Sequence, residues 1–305
     1  MGKLIVSSSP HIRSKESVSR IMWSVIAALM PAVLTGLYVF GLVNLKNIVV
    51  GVSVAVLTEA LCQRMMHRKI TVDDGSAIVT GLLLVMVLPP GLNWWIVAAG
   101  SFFAIAIVKQ LFGGLGHNIF NPALTARAVL LVSFPIQMTR WLKPFDSLTA
   151  ATPLAVVKDN LSDKLPMFWD LFIGKTGGSF GETGVLALLA GAAFLFLRKI
   201  ISWHIPFSYL GVVALLSWIF GRDPLFSILA GGLILGAFFM ATDPATTPLT
   251  KKGQIFFGVG CGIITVAIRQ WGGYPEGVCY SILLMNALTP LIDRYLKPRR
   301  FGVTK

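Results

Sequence analysis

The chain has 305 residues, of which 55% are hydrophobic and 13% are charged, and its mean hydropathy is +0.77. Soluble domains carry charge on about a quarter of their residues, so this composition excludes a soluble protein and indicates an integral membrane protein. The formal net charge is +13, but the basic residues cluster between apolar runs and form no patch interleaved with aromatic residues. Anchoring at membrane surfaces explains the excess, and nucleic acid is therefore not an expected partner.

Apolar runs separated by polar turns recur along the whole chain, as expected for a protein that crosses a hydrocarbon core of about 30 Å many times. The predicted spans are 21–40, 48–62, 76–88, 94–111, 123–138, 182–197, 205–220, 225–240, 255–268 and 277–292. An even number of crossings places both ends of the chain on one side of the membrane. The sequence therefore predicts an all-α membrane protein of about ten transmembrane helices.

The third span, 76–88, is too short to cross alone and is interrupted by Pro89-Pro90-Gly91. Broken helices are tolerated in membranes only where the freed backbone faces protein or a cavity, and in transporters they mark a central site. The alternative is an ordinary span that its flanking residues extend.

Two short patterns occur in both halves of the chain. A basic residue and a glutamine before paired glycines occur at 109–114 and again at 269–273, and the short span 76–88 has a counterpart at 227–232. Because five spans per half would start the second half from the opposite side, we expect two inverted five-helix repeats. A cavity at their interface is the natural place for a ligand.

The positive-inside rule sets the predicted orientation. With the N-terminus inside, sixteen of the 26 lysines and arginines lie in inner segments and seven lie in outer segments. The predicted organisation is a cytoplasmic basic arm at 1–20, a first five-helix repeat at 21–138, an outward-facing loop at 139–181, a second five-helix repeat at 182–292 and a cytoplasmic basic tail at 293–305.

The long polar loop contains the sequence Asp-Ser-Leu-Thr-Ala-Ala-Thr-Pro-Leu at 146–154. Pro153 has a fixed φ and pushes Thr152 toward extended geometry, so we expect the Thr152 hydroxyl to be presented rather than folded into a helix. The alternative is a helix start, with Thr149 or Thr152 as the N-cap and Pro153 at the first helical position.

This stretch resembles the signature at which a flavin transferase attaches flavin mononucleotide (FMN) to a threonine through a phosphodiester. In that signature the last threonine, here Thr152, carries the flavin, and Asp146, Thr149 and Ala151 occupy further motif positions. Ala150 stands where glycine is common. The resemblance implies that the transferase recognises Asp146 and Thr149, or that these residues order the phosphate-bearing loop.

The chain as a whole is similar to the D subunits of Rnf complexes and, more distantly, to the B subunits of sodium-pumping NADH:quinone oxidoreductases. The segments that carry the resemblance are 8–14, 118–124, 146–154, 241–244 and 280–286, in the family's order. The longer N-terminal portion of the quinone-reductase subunit is not found here, which favours the Rnf branch. The family's fold is shared with urea and ammonium channels, which agrees with the predicted inverted repeats.

The resemblance implies a membrane flavoprotein that carries covalent FMN and a second, non-covalent flavin, riboflavin. Electrons would pass between ferredoxin and NAD in a complex coupled to Na⁺ or H⁺ transport. The implied partners are the other Rnf subunits, including a second covalent-FMN subunit and iron–sulfur subunits, together with a flavin transferase and membrane lipid. The implied location is the cytoplasmic (inner) membrane of a bacterium or archaeon.

Three charged residues in or near the spans are further candidates. Asp243 is the best carboxylate for an ion path, with a structural helix cap as the alternative. Arg127 would ordinarily snorkel to the interface, or would pair with a flavin or quinone oxygen. Glu59 is expected to be interfacial rather than functional.

Two other classes of function compete with the flavoprotein hypothesis. A small-solute channel or transporter of the same architecture would use the broken third span, and Thr152 would merely be a cap. A scaffold subunit would have no cofactor of its own.

The cysteines Cys62, Cys261 and Cys279 lie in apolar runs and form no C-x-x-C pair, so we expect them to be packing residues.

Overall fold

The computed structural model describes residues 17–145, 149, 151–158, 167–274 and 276–297. Within this part of the chain the regular structure is helical, apart from an isolated β-bridge between Leu142 and Thr149. The helices are α1 (Val18–Phe40), α2 (Val43–Met65), α3 (Ser76–Val87), α4 (Trp94–Phe103, continued by a π-helix over Ala104–Gln110), α5 (Pro122–Ser133), α6 (Pro135–Met138), α7 (Pro153–Lys158), α8 (Phe168–Ile173), α9 (Val185–Leu197), α10 (His204–Ile219), α11 (Pro224–Leu229), α12 (Leu233–Leu235, continued by a π-helix over Gly236–Met240), α13 (Lys251–Trp271) and α14 (Val278–Tyr295).

Three helices in the described residues are long and apolar enough to cross a membrane by themselves: α1, α2 and α13. Five further apolar segments of 10–17 residues accompany them, namely α3, α4 with its π-helix, α5, α9 and α10. The prediction of an all-α, multi-pass membrane protein is confirmed, while the count of ten crossings stays a prediction.

The break after the third predicted span is confirmed. Helix α3 ends at Val87, directly before Leu88 and the Pro-Pro-Gly sequence. The carbonyl oxygen of Leu88 accepts a hydrogen bond from Phe180 N at 3.1 Å, and that of Met86 accepts one from Gly181 N at 2.6 Å. The backbone freed by the break therefore faces protein rather than lipid, as the membrane interior requires.

The predicted span 225–240 is interrupted in the structure. Helix α11 ends at Leu229, and the chain turns through Gly231 and Gly232, whose φ angles of +76° and +64° are left-handed and favour glycine. Arg269 of α13 donates from Nη1 to Ser227 O at 2.6 Å and from Nη2 to Ala230 O at 3.0 Å. A distant arginine thus satisfies the carbonyls that the break exposes.

The predicted span 123–138 is also divided. Helix α5 ends at Ser133, and a short second helix begins at Pro135. Proline disfavours helical geometry at the residue before it, and Phe134 accordingly has φ −131° and ψ 57°.

The two halves of the chain contact each other through α1 and α9. Within the first half, α2 packs against α3 and α4, and within the second half, α10 packs against α11 and α13. The contact between α1 and α9 depends on Gly191, since a Cβ there would overlap the carbonyl oxygen of Ala28. Small residues allow this close approach of helix backbones in membranes.

We expect Gly191→Ala to destabilise the protein by about 1–3 kcal/mol, because the added methyl group forces α1 and α9 apart. The matched control is Gly211→Ala in α10, where no described atom lies within 4 Å of an added Cβ. The control should be neutral or stabilising by up to about 1 kcal/mol, since alanine is the better helix former. Thermal unfolding of both variants in detergent measures the difference, and equal melting temperatures would contradict the packing described here.

A ring of hydroxyl groups joins α10, α13 and α14 in the buried interior. The hydroxyl of Tyr209 lies 2.6 Å from Thr265 Oγ1 and 2.9 Å from Ser281 Oγ, and Thr265 Oγ1 donates to Ser281 Oγ at 2.8 Å. Each hydroxyl therefore has a partner in a region where an unpaired polar group is costly.

Removing one of these hydroxyls with Tyr209→Phe should cost about 0.6 kcal/mol, the average for interhelical hydrogen bonds in a membrane protein, and at most about 1.7 kcal/mol. Tyr295→Phe, at a tyrosine 77% exposed at the end of α14, is the control and should be neutral. Denaturant titration of the two variants in mixed micelles checks the prediction. A neutral Tyr209→Phe variant would show that the ring contributes nothing to helix association.

Candidate functional site

Thr152 directly precedes α7 and caps it. Its Oγ1 accepts a hydrogen bond from Ala155 N at 3.3 Å, its carbonyl oxygen accepts one from Val156 N at 3.0 Å, and the residue is 2% exposed. Pro153 occupies the first helical position. The helix-start alternative is therefore what the structure contains, and the expectation of a presented Thr152 hydroxyl is wrong for this conformation.

The other motif positions differ from Thr152 in their exposure or lie outside the described residues. Asp146 and Ala150 lie outside the described residues, and Ala151 is half-buried. Thr149 is exposed and lines an open, polar cavity of about 270 Å³ together with Arg140 and the Pro-Pro-Gly break. The structure thus separates the two threonines of the motif into an exposed one and a buried one.

Contacts at both ends hold α7 against the second half of the chain. Lys158 donates from Nζ to Gly272 O and, at 3.0 Å, to Tyr274 O, so it caps the C-terminal end of α13. The side chain of Leu154 fills the space beside Gly231, where a Cβ would overlap it. The segment after Thr152 is therefore fixed to the end of α13 and to the break after α11.

A cavity of about 430 Å³, called here the α7 cavity, lies between α7, the end of α10 and α13. Its walls include Leu154, Val157, Phe168, Phe220, Phe226 and Val266, and polar groups come from Ser217, Ser227, Arg222 and Arg269. The Nε atom of Arg269 is buried and has no hydrogen-bond partner among the described residues. The α7 cavity therefore combines apolar, aromatic walls with one unused buried donor.

A second cavity of about 80 Å³, called here the central cavity, lies where the two halves of the chain meet. Its polar lining includes Lys109, Asn118, Asn121, Thr242 and Asp243, and α1, α3 and the π-helix after α12 supply apolar walls. Asn118 donates from Nδ2 to Phe120 O at 3.2 Å, whereas its Oδ1 is buried without a partner in the described part of the chain. Unsatisfied buried acceptors are uncommon, so this oxygen indicates a missing donor.

Lys109 reaches the central cavity from a buried ion pair. Its Nζ lies 2.8 Å from Glu59 Oε1 and donates to Ser76 Oγ at 2.6 Å, while Gln110 Nε2 donates to Glu59 Oε1 at 2.7 Å. The side chains of Lys109 and Glu59 are 2% and 1% exposed. The expectation that Glu59 is interfacial is therefore wrong. Its position inside an apolar run was the available signal, since ionisable residues in spans generally have a partner and a function.

A family model described as the NQR2, RnfD, RnfE family matches residues 5–302. The chain belongs to this family. Similar proteins include the D subunit of the Na(+)-translocating ferredoxin:NAD(+) oxidoreductase complex of Acetobacterium woodii, which is 52% identical over 99% of this chain and 96% of its own length. The D subunit of the proton-translocating ferredoxin:NAD(+) oxidoreductase complex of Clostridium ljungdahlii is 49% identical over 98% of this chain and 96% of its own. The D subunit of the ion-translocating oxidoreductase complex of Stutzerimonas stutzeri is 40% identical over 94% and 93%.

Family membership confirms the resemblance carried by the motifs, two of which meet at the central cavity. Asn121 caps α5 by accepting hydrogen bonds from Ala123 N at 3.1 Å and Leu124 N at 3.2 Å. Asp243 accepts from Ala245 N at 3.3 Å and Thr246 Oγ1 at 3.4 Å. Asp243 therefore stabilises its own turn and lines the cavity, but it is not the predicted helix cap, because α13 begins at Lys251 with Thr250 as its N-cap.

Arg127 forms an ion pair with Glu276, with the two side chains 13% and 14% exposed, so it pairs with a carboxylate instead of snorkelling, while its pairing with a flavin or quinone oxygen stays a prediction. A second carboxylate, Glu182, accepts hydrogen bonds from Ser179 N at 3.0 Å and from Ser179 Oγ at 3.2 Å in the loop before α9. Burial, followed by the nearby Glu276 carboxylate, raises the pKa of Glu182 to about 7. Of the three cysteines predicted to be packing residues, Cys261 and Cys279 are buried as expected, whereas Cys62 is half-buried.

Proposed function

We propose that this chain is the D-type membrane subunit of an ion-translocating ferredoxin:NAD⁺ oxidoreductase complex. The observation that carries the proposal is the 52% identity to a D subunit over 99% of this chain. Its partners are the other subunits of the complex, including a second subunit with covalent FMN and iron–sulfur subunits. The complex lies in the cytoplasmic membrane and couples electron transfer to the movement of Na⁺ or H⁺.

FMN is attached to Thr152 through a phosphodiester, and a flavin transferase acts on the segment 146–152. The motif supports this proposal, as does the wall that α7 forms on a cavity large enough for an organic ligand. Because the Thr152 hydroxyl is buried and caps α7, the transferase acts while the first turn of α7 is open. When bound, FMN supplies one- and two-electron transfer, and the chain positions it.

Riboflavin binds in the central cavity. The supporting observations are the unpartnered Oδ1 of Asn118, which would accept from a ring N–H or a ribityl hydroxyl, and the ammonium group of Lys109 on the same wall. The cavity volume of about 80 Å³ holds only a few waters, so a flavin ring would fit there only after the lining side chains rearrange. Asn118 and Lys109 would be the residues that hold the flavin.

The proposed fold has ten crossings in two inverted repeats, and the similar helix packing in the two halves supports it. Helices α2, α3 and α4 pack in the first half as α10, α11 and α13 do in the second, and each half contains a broken third helix. Phe145 N donates to Val39 O at 3.1 Å, so the loop that carries Thr152 lies beside the end of α1. With the basic termini in the cytoplasm, this loop faces outward. The α7 cavity lies at the C-terminal end of α10, and the central cavity includes Ile200 and Ile201, shortly before α10 begins. The two cavities are therefore near opposite ends of α10.

Purification of the chain from cells with and without a co-expressed flavin transferase tests the proposal. We expect the denatured chain to keep fluorescent flavin in a gel only when the transferase is present, and to release riboflavin in both preparations. A colourless chain in both preparations would favour the small-solute channel, which needs no chromophore and for which the broken α3 is the supporting feature.

A further inference from the structure

We propose that the isoalloxazine ring of the FMN on Thr152 lies in the α7 cavity, with Arg269 Nε as its hydrogen-bond donor. This inference rests on the proposed attachment of FMN to Thr152 and names the residues that receive the ring. Neither the motif nor family membership specifies where the tethered ring goes.

The anchor and the cavity belong to the same short segment. Leu154 and Val157 line the α7 cavity and follow Thr152 by two and five residues. At about 1.5 Å of rise per helical residue, both side chains lie within about 8 Å of the anchor along the axis of α7. A ribityl chain and a phosphate separate the ring from the anchor, which is enough length to turn from the start of α7 into the cavity.

The size and walls of the cavity suit a flat aromatic ring. Its volume of about 430 Å³ falls within the usual range for cofactor and small-molecule sites, about 300–1,000 Å³. Phe168, Phe220 and Phe226 contribute aromatic surface from three different elements, and Val266 closes the wall formed by α13. Aromatic side chains pack favourably on other ring systems in stacked or edge-on arrangements.

Arg269 supplies the chemical argument for a polar ligand. Its two terminal nitrogens donate hydrogen bonds to Ser227 O and Ala230 O. The residue is 4% exposed, and its Nε has no acceptor among the described residues. An unused buried donor on a charged group costs stability, so an acceptor is expected beside it. The ring offers carbonyl oxygens as acceptors and gains negative charge on reduction, whereas a lipid tail offers neither.

Two variants probe the site in the full chain, co-expressed with the transferase and solubilised in detergent. Val157→Phe fills the cavity from α7, and Arg269→Gln removes the donor while keeping a polar side chain. Val132→Phe, at a residue that is 76% exposed on α5, is the control for added bulk. Peptide mass spectrometry first establishes that each protein carries FMN on Thr152, and an absence of FMN from the wild type would overturn both proposals.

The readouts are quenching of flavin fluorescence by iodide and the midpoint potential of the covalent flavin. We expect the native wild type and Val132→Phe to be quenched at least five-fold less than denatured protein, and Val157→Phe to approach the denatured level. Arg269→Gln should shift the flavin at least ten-fold toward its oxidised form at a fixed potential, about 30 mV for a two-electron couple. FMN on Thr152 with equal quenching in native and denatured wild type would place the ring outside the cavity and overturn this inference alone.

If Arg269→Gln fails to fold because the carbonyl oxygens of Ser227 and Ala230 lose their donor, Val157→Phe still decides the question. Its side chain is half-buried, and it makes none of the hydrogen bonds that hold α7. Val157→Phe with covalent FMN and quenching as low as in wild type would overturn the placement of the ring.

Discussion

Thr152→Ala should abolish covalent flavin while the chain still inserts into the membrane and retains non-covalent riboflavin. The substitution removes the hydroxyl that would form the phosphodiester. It also removes the cap of α7, which costs about 1 kcal/mol, too little to unfold the protein. In-gel flavin fluorescence measures the covalent cofactor, and flavin released by denaturation measures riboflavin.

Thr139→Ala is the matched control, because Thr139 is an exposed threonine of the same loop whose Oγ1 donates to backbone oxygens of α6. It should keep its full content of covalent flavin. Covalent flavin retained by Thr152→Ala would show that the anchor lies elsewhere, and the exposed Thr149 would become the next candidate.

Lys109→Met should be among the most destabilising single substitutions in this chain. It leaves the Glu59 carboxylate buried without its cation, and breaking a buried ion pair from one side costs about 3–5 kcal/mol. Lys252→Met, at an exposed lysine on α13, should change the free energy of unfolding by less than about 0.5 kcal/mol. Unfolding in mixed micelles measures both variants.

The double variant Lys109→Met/Glu59→Gln tests whether the cost belongs to the pair. With no charge left to bury, most of the lost stability should return, because Gln63 and Gln110 remain to bond the new amide. A double variant whose loss equals the sum of its two single variants would show that Lys109 and Glu59 are not coupled.

The sequence predicted those parts of the fold that depend on the residues at the position itself. The Pro-Pro-Gly sequence breaks α3 where the sequence indicated, since proline and glycine act on the backbone at their own positions. At Thr152 the residues allowed either a presented hydroxyl or a cap. The choice depended on Lys158 and Leu154, which dock α7 onto α13 and onto the break after α11.

The features that the sequence missed depend on partners far along the chain. Glu59 looked interfacial because Lys109, which neutralises it, is 50 residues away. Arg127 and Glu276 are 149 residues apart, and the break after α11 depends on an arginine of α13. Periodicity and composition describe neighbours in sequence, so they identify a charge in a span but not the residue that pairs with it.

Peptide mass spectrometry across residues 144–158 of the chain, purified from cells that contain a flavin transferase, tests the central claim most directly. We predict that the peptide carries the mass of FMN and that fragmentation places it on Thr152. An unmodified peptide from a preparation in which a known substrate of the transferase is fully flavinylated would contradict the account and leave Thr152 as the cap of α7.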